Sequence, residues 1–79
     1  MTVIIWSKYH CPYCEQAKAL LKQNEIVFEE RKIGDGWTRE DLLADIPNAR
    51  SVPQIVIDGT LIGGFTELKQ KLTKEQHEF

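Results

Sequence analysis

Two residues in this chain can do redox chemistry, Cys11 and Cys14, and only Pro12 and Tyr13 separate them. An apolar run, Val3-Ile4-Ile5-Trp6, comes before the pair and a segment patterned as a helix comes after it, so the thiols are expected at a strand-to-helix junction. A free cysteine has a pKa of roughly 8.5 and is mostly thiol at neutral pH. The N-terminal end of a helix offers unpaired N–H groups and partial positive charge, both of which favour the thiolate. Pro12 suits the first helical turn, because its φ is already helical and its missing N–H would have no partner there. Cys11 then falls in the cap region and Cys14 one turn further in. Cys11 is the expected nucleophile, with a pKa in the range of roughly 3.5–7.5 typical of such positions. Lys8 adds positive charge on the approach loop.

The other reading of a Cys-x-x-Cys pair is half of a zinc site, which needs a second pair of ligands at suitable spacing. His10 is adjacent to Cys11 and His77 lies in the charge-rich tail Lys74 to Phe79, which is expected to be solvated and mobile. No metal is therefore expected. The 79 residues read as one domain, 1–79, small enough to bury only about 60% of its unfolded surface. The chain is 42% hydrophobic and 28% charged with net charge −2 and a pI of about 5.6, which gives no electrostatic case for nucleic acid or an anionic membrane. No apolar run approaches a membrane span and the N-terminus lacks signal-peptide character, so a cytoplasmic setting is expected. A structural disulfide is not expected in that compartment, and the pair points to redox work.

The elements that position the pair follow from pattern. Val3 to Trp6 is short, β-branched and aromatic, as in a central strand, with Ser7 to His10 as its exit loop. From Pro12 to about Asn24, Ala17, Leu20 and Leu21 recur at helical spacing, leaving Glu15, Gln16, Lys18 and Lys22 to face water. Ile26 to Ile33 reads as a second strand nearer a sheet edge, and Gly34-Asp35-Gly36 as a turn. Thr38 caps a short helix, with Asp41 three residues on, Leu42, Leu43 and Ile46 inward and Pro47 closing it. Val52 to Ile57 and Thr60 to Ile62 flank Asp58-Gly59, a hairpin signal. Phe65 to about Gln76 forms the last helix, with Leu68 and Leu72 inward and Lys69, Lys71 and Lys74 outward. Trp6 and Trp37 are expected to be packing residues. The order β-α-β-α-β-β-α predicts an α/β domain with a four-stranded mixed sheet and three helices, its first two strands joined by a right-handed crossover.

Lys8-x-x-Cys11-Pro12-Tyr13-Cys14, Val52-Pro53 before a strand, Asp58-Gly59 and Gly63-Gly64-Phe65-Thr66 together resemble the glutaredoxins of the thioredoxin-fold superfamily, over Val3 to about Leu72. The resemblance implies a glutathione-dependent thiol-disulfide oxidoreductase that reduces protein disulfides and glutathione mixed disulfides. It makes Cys11 the nucleophile and Cys14 the resolving cysteine, puts Tyr13 beside the site and gives Lys8 a glutathione carboxylate. It also implies a cis peptide bond at Val52-Pro53, a backbone pairing of Val52 with the cysteinyl part of glutathione, and a γ-glutamyl carboxylate received by Gly64, Phe65 and Thr66. Arg39 could reach the glycine carboxylate. Ser51 stands where threonine is more usual, Phe65 where cysteine is common and Glu67 where aspartate often sits. The implied partners are glutathione and disulfide-bearing or glutathionylated proteins, ribonucleotide reductase among the candidates, with a monomer expected. Three rival functions are a thioredoxin-like electron donor served by a reductase, a dimer holding an iron–sulfur cluster through Cys11 thiolates and glutathione, and a catalytically silent interaction domain, which the placement of both thiols opposes. The intact Cys-Pro-Tyr-Cys argues against the second.

Overall fold

The structure is a computed structural model that describes residues 1–76, with side chains to Thr73; Lys74 and the rest of the tail, His77 included, lie outside the described side chains. Its elements run β1 (Val3–Lys8), α1 (Pro12–Gln23), β2 (Glu29–Ile33), α2 (Arg39–Asp45), β3 (Gln54–Ile57), β4 (Thr60–Gly63) and α3 (Phe65–Gln76). The four strands form one mixed sheet in the order β2-β1-β3-β4. β1 pairs parallel with β2 and antiparallel with β3, and β3 pairs antiparallel with β4. Asp58 and Gly59 both take positive φ in the turn between β3 and β4, at 50° and 80°, as a tight hairpin turn requires.

The two-residue period of β1 sorts the core into two layers. Val3 and Ile5 point to one face, where they pack with Ala17 and Leu21 of α1, Ile55 and Ile57 of β3, and Leu68 and Leu72 of α3. Ile4 and Trp6 point to the other, against Leu42 and Ile46 at α2. Each fully buried aliphatic side chain contributes roughly 1.5–3 kcal/mol, so the sheet has apolar cover on both sides. On the α2 side Arg31 stacks on Trp6 and Trp37, its guanidinium carbon 5.2 and 4.6 Å from their ring centroids. The same guanidinium bonds Glu29 at 2.6 Å and Asp45 at 2.9 Å, which ties β2 to the end of α2.

Three boundaries depart from the expectations. β1 runs two residues past Trp6, because β2 continues to pair with it through Ser7↔Lys32 and Lys8↔Ile33. β2 begins at Glu29, not Ile26, because the Ile26 N–H is spent on α1. It donates to Leu21 O at 2.9 Å while Glu25 N donates to Lys22 O at 3.0 Å, and Glu25 takes φ 57°. These bonds make a Schellman cap in which Ile26 packs back on the helix. Strand β3 starts at Gln54, after Val52 and Pro53.

The fourth departure is chemical. Lys18 does not face open water; its side chain is 12% exposed and bonds Glu15 at 2.7 Å and Glu30 at 2.9 Å. Glu30 also accepts a 2.6 Å hydrogen bond from the Ser7 hydroxyl, and Ser7 is fully buried. Burial opposes the Lys18 ammonium, but Glu15 and Glu30 outweigh it and hold its pKa above the ordinary 10.5. Burial likewise opposes the Glu30 carboxylate, yet hydrogen bonds from Ser7 and Lys18, with the Lys18 and Lys32 charges, hold it below the ordinary 4.5.

Two outcomes follow from these contacts. A depressed Glu30 pKa contributes stability above pH 4.5 that is lost as pH falls through the folded value, and a raised Lys18 pKa contributes stability below 10.5 that is lost as pH rises through its own. Lys18→Met therefore lowers the unfolding free energy by about 2 kcal/mol at neutral pH. In urea titrations across pH, that deficit should shrink below pH 4.5 and above 10.5. Glu25→Gly, relieving a left-handed residue with a side chain, should raise stability by about 0.5–1 kcal/mol in the same assay.

Candidate active site

β1 is flanked by strands on both sides, and its C-terminal end delivers the chain to α1 at the edge of both core layers. His10 makes the sharp turn, with φ 56°. Cys11 then stands as the N-cap of α1 in extended conformation, φ −122° and ψ 94°, and Pro12 occupies the first helical position. Sulfur does here what a serine or aspartate oxygen does at other N-caps: Cys11 Sγ accepts the Cys14 backbone N–H at 3.2 Å. Its carbonyl accepts the Glu15 N–H at 3.2 Å. A sulfur held in this way meets an N–H donor and the positive end of the helix, both of which stabilise it as an anion.

The two cysteines are joined in a disulfide, with Cα atoms 5.2 Å apart. Their exposure differs in the direction that the helix geometry dictates: Cys11 is 8% exposed and Cys14 0%. Cys14 lies on the inward stripe of α1 with Ala17 and Leu21, so attack from solvent on this disulfide reaches the Cys11 sulfur first. That sulfur is 3.8 Å from Val52 O, a contact that the reduced thiol can use as a hydrogen bond.

The remaining residues singled out from the sequence fall into two neighbouring cavities beside the Cys11–Val52 contact. The Val52–Pro53 peptide bond is cis, and Val52 O is the atom of this loop that lies against the Cys11 sulfur. Tyr13, Val52, Pro53, Gly64, Phe65 and Thr66 line one open cavity of about 210 Å³, together with Ser51 and Glu67. The Tyr13 and Phe65 rings stand 6.0 Å apart across it. Lys8 is not in that cavity. It lines the neighbouring one, about 240 Å³, with Val52, Arg39, Arg50 and the apolar Leu42 and Leu43. Val52 and Ser51 border both cavities, so together they form a cleft along the cis loop, with cations at one end and the α3 N-terminus at the other.

Glu67 has a role that its residue type alone did not reveal. Its carboxylate accepts the Gly64 N–H at 2.7 Å, so one of the three residues expected to receive a ligand carboxylate already serves an internal one. A Cβ on Gly63 would come within 2.9 Å of that same carboxylate oxygen, so the glycine pair makes room for the folded-back side chain. The spacing Gly64-x-x-Glu67 matches the returning half of a capping box and was the available signal. The Ser7–Glu30–Lys18 group was also missed. Extending the β1 alternation by one residue would have placed Ser7 on the buried face below α1.

The family model described as Glutaredoxin matches residues 3–62. Glutaredoxin-C8 of Oryza sativa subsp. japonica is 42% identical over 67 residues, which cover 78% of this chain and 49% of that protein. The chain thus spans about half the length of that relative. Glutaredoxin 3 of Escherichia coli strain K12 is 38% identical over 66 residues, covering 84% of this chain and 80% of that one. The crystal structure of glutaredoxin 1 from Francisella tularensis superimposes with a TM-score of 0.80 at 36% identity, covering 98% of both chains.

Removing the Glu67 carboxylate should unfasten the start of α3. Glu67→Ala is expected to cost about 1 kcal/mol, a fall in thermal midpoint of about 4–8 °C for a domain of this size, whereas Glu67→Gln, which keeps an acceptor, should lose less than half of that by calorimetry.

Proposed function

Because this chain belongs to the glutaredoxin family, we propose that it is a glutathione-dependent thiol-disulfide oxidoreductase, with Cys11 as nucleophile and Cys14 as resolving thiol. The observation that carries the reading is the Cys11 sulfur itself. It caps α1, is the more accessible of two vicinal cysteines, and sits 3.8 Å from Val52 O at the edge of the cleft.

In the reduced protein the Cys11 thiolate attacks the glutathione sulfur of a mixed disulfide. The Cys11–glutathione bond forms as the old S–S bond breaks, and the electron pair leaves on the substrate thiolate, which takes a proton from water. A second glutathione thiolate then attacks the glutathione sulfur, releasing glutathione disulfide and regenerating the Cys11 thiolate. On the dithiol route Cys14 instead attacks Cys11 Sγ, expels glutathione and forms the Cys11–Cys14 disulfide; two glutathione molecules then reduce it and leave as glutathione disulfide. Exchange is fastest when the attacking thiol has a pKa near the working pH, and a helix N-terminus favours the thiolate form of a cysteine placed there.

The cleft fits a tripeptide carrying a carboxylate at each end. Lys8 and Arg39 stand at one end, where they would meet the glycine carboxylate. The start of α3 at Gly64, Phe65 and Thr66 stands at the other, where helix N–H groups would meet the γ-glutamyl carboxylate. Val52 lies between, its backbone available to the cysteinyl residue, and Pro53 and Tyr13 complete the walls. Disulfide-bearing and glutathionylated proteins in a reducing, cytoplasmic setting are the substrates that this chemistry serves.

Steady-state reduction of a glutathionylated peptide by glutathione tests the reading. Cys11→Ser should abolish turnover, and Cys14→Ser should keep it on this substrate while losing reduction of a protein disulfide. Lys8→Ala should raise the KM for glutathione by about two- to fivefold, the scale of one exposed charge pair. Failure of glutathione to support turnover by the unaltered protein would overturn the assignment in favour of a reductase-served donor.

A further inference from the structure

One groove at the site is not used by the reading above. It measures about 590 Å³, lies outside the cis loop and the α3 N-terminus, and is lined by Lys8, Tyr9, His10, Cys11, Glu15 and Lys32 together with Pro12. Neither of the two cleft cavities is lined by Cys11, whereas this groove is. If glutathione occupies the cleft along Val52, this groove leaves an approach to Cys11 outside that cleft.

Its chemistry is biased. Lys32 supplies an ammonium group that the glutathione reading does not use, Lys8 stands beside it, and the acid among the lining residues, Glu15, is held by Lys18 at 2.7 Å. The Lys32 ammonium is fixed 4.4 Å from the centroid of the Tyr9 ring, within the range of a cation–π contact. The Tyr9 side of the groove is open, with that residue 51% exposed. Past Lys8, the next cavity adds Arg39 and Arg50 and has no acidic residue in its lining. This cationic rim stands on a chain whose net charge is −2, although the Lys32 charge also faces the Glu30 carboxylate. Clustered surface charge of one sign steers oppositely charged partners and selects among them.

We propose that the groove between Tyr9 and Lys32 docks the protein half of the disulfide substrate, and that it favours segments with acidic residues flanking the reactive cysteine. The proposal rests on the glutathione-dependent reading and names its substrate class. Lys32 and Tyr9 take no part in the sulfur exchange; they bias which chain presents its sulfur to Cys11.

The test uses the full chain and two glutathionylated peptides that are identical except for glutamates or lysines beside the cysteine, with the mixed disulfide of glutathione and 2-mercaptoethanol as a substrate lacking any peptide. The expected result is a kcat/KM for the acidic peptide about fivefold above the basic one at low salt, converging as ionic strength rises. Lys32→Glu should erase or invert that preference and Lys32→Arg keep it, while both variants turn over the mercaptoethanol substrate, with the KM for glutathione, within about twofold of the unaltered protein. Equal kcat/KM for the two peptides at low salt overturns the proposal without any variant being needed. A Lys32→Glu protein that slows all three substrates alike, or that raises the KM for glutathione, also overturns it, since the groove would then serve folding or glutathione itself. Absence of turnover on the mercaptoethanol substrate by the unaltered protein would remove the glutathione-dependent reading first and this docking site with it.

Discussion

The contact on which the site depends is the 3.2 Å hydrogen bond from the Cys14 backbone N–H to the Cys11 sulfur. A helix begins with N–H groups that have no partner inside it, and most helices satisfy one of them with a side-chain oxygen at the cap. Here the capping atom is the sulfur that would do the chemistry, so forming the helix and preparing the thiolate are one event. Pro12 removes a donor that would otherwise need a partner, and the inward stripe of Cys14, Ala17 and Leu21 sets the rotation of α1 that buries Cys14 completely and leaves Cys11 slightly exposed.

That arrangement holds only if α1 stays fixed over the sheet. The apolar layer of Val3, Ile5, Ile55 and Leu21 supplies most of the adhesion, but it is not directional. The Ser7–Glu30–Lys18–Glu15 group is directional, joining β1, β2 and α1 by hydrogen bonds and ion pairs of 2.6–2.9 Å. A partly buried polar group of this kind stabilises when every member is satisfied and destabilises when one is removed. On the opposite face, Arg31 holds α2 to the sheet through Trp6, Trp37 and Asp45, and α2 carries the Arg39, Leu42 and Leu43 that border the cleft. One end of the cleft is thus set by a stacked guanidinium, the other by Glu67 folded back on Gly64. The Glu67 carboxylate satisfies a donor at the α3 N-terminus, where a bound anion would also go, so helix stability and ligand affinity draw on the same N–H groups.

What the sequence determined by itself is local. Hydrophobic periods of two and of 3.6 residues identify the strands and helices. Thr38 with Asp41 announces a capping box that the structure contains in full, Asp58-Gly59 specifies its turn, and Cys11-Pro12-Tyr13-Cys14 places two thiols at the start of a helix. Each of these signals lies within a few residues, where backbone stereochemistry acts directly. The glutaredoxin resemblance adds Lys8, Val52, Pro53 and Gly64 to the pair, residues whose contacts with it the sequence alone does not show. Tertiary structure decided what depends on residues far apart in the chain. Ser7 and Lys8 became strand because β2 supplied them with partners, and Ile26 left the strand because its N–H closed the helix behind it. Lys18 turned from solvent to Glu30, 12 residues away. Lys8 and Lys32 came to share one groove with the Cys11 sulfur through the parallel pairing of β1 with β2. The physical reason is that a side chain's intrinsic preference is worth tenths of a kcal/mol, whereas a buried hydrogen bond or charge left unpaired costs several times more, so the global packing overrides the local signal wherever the two conflict.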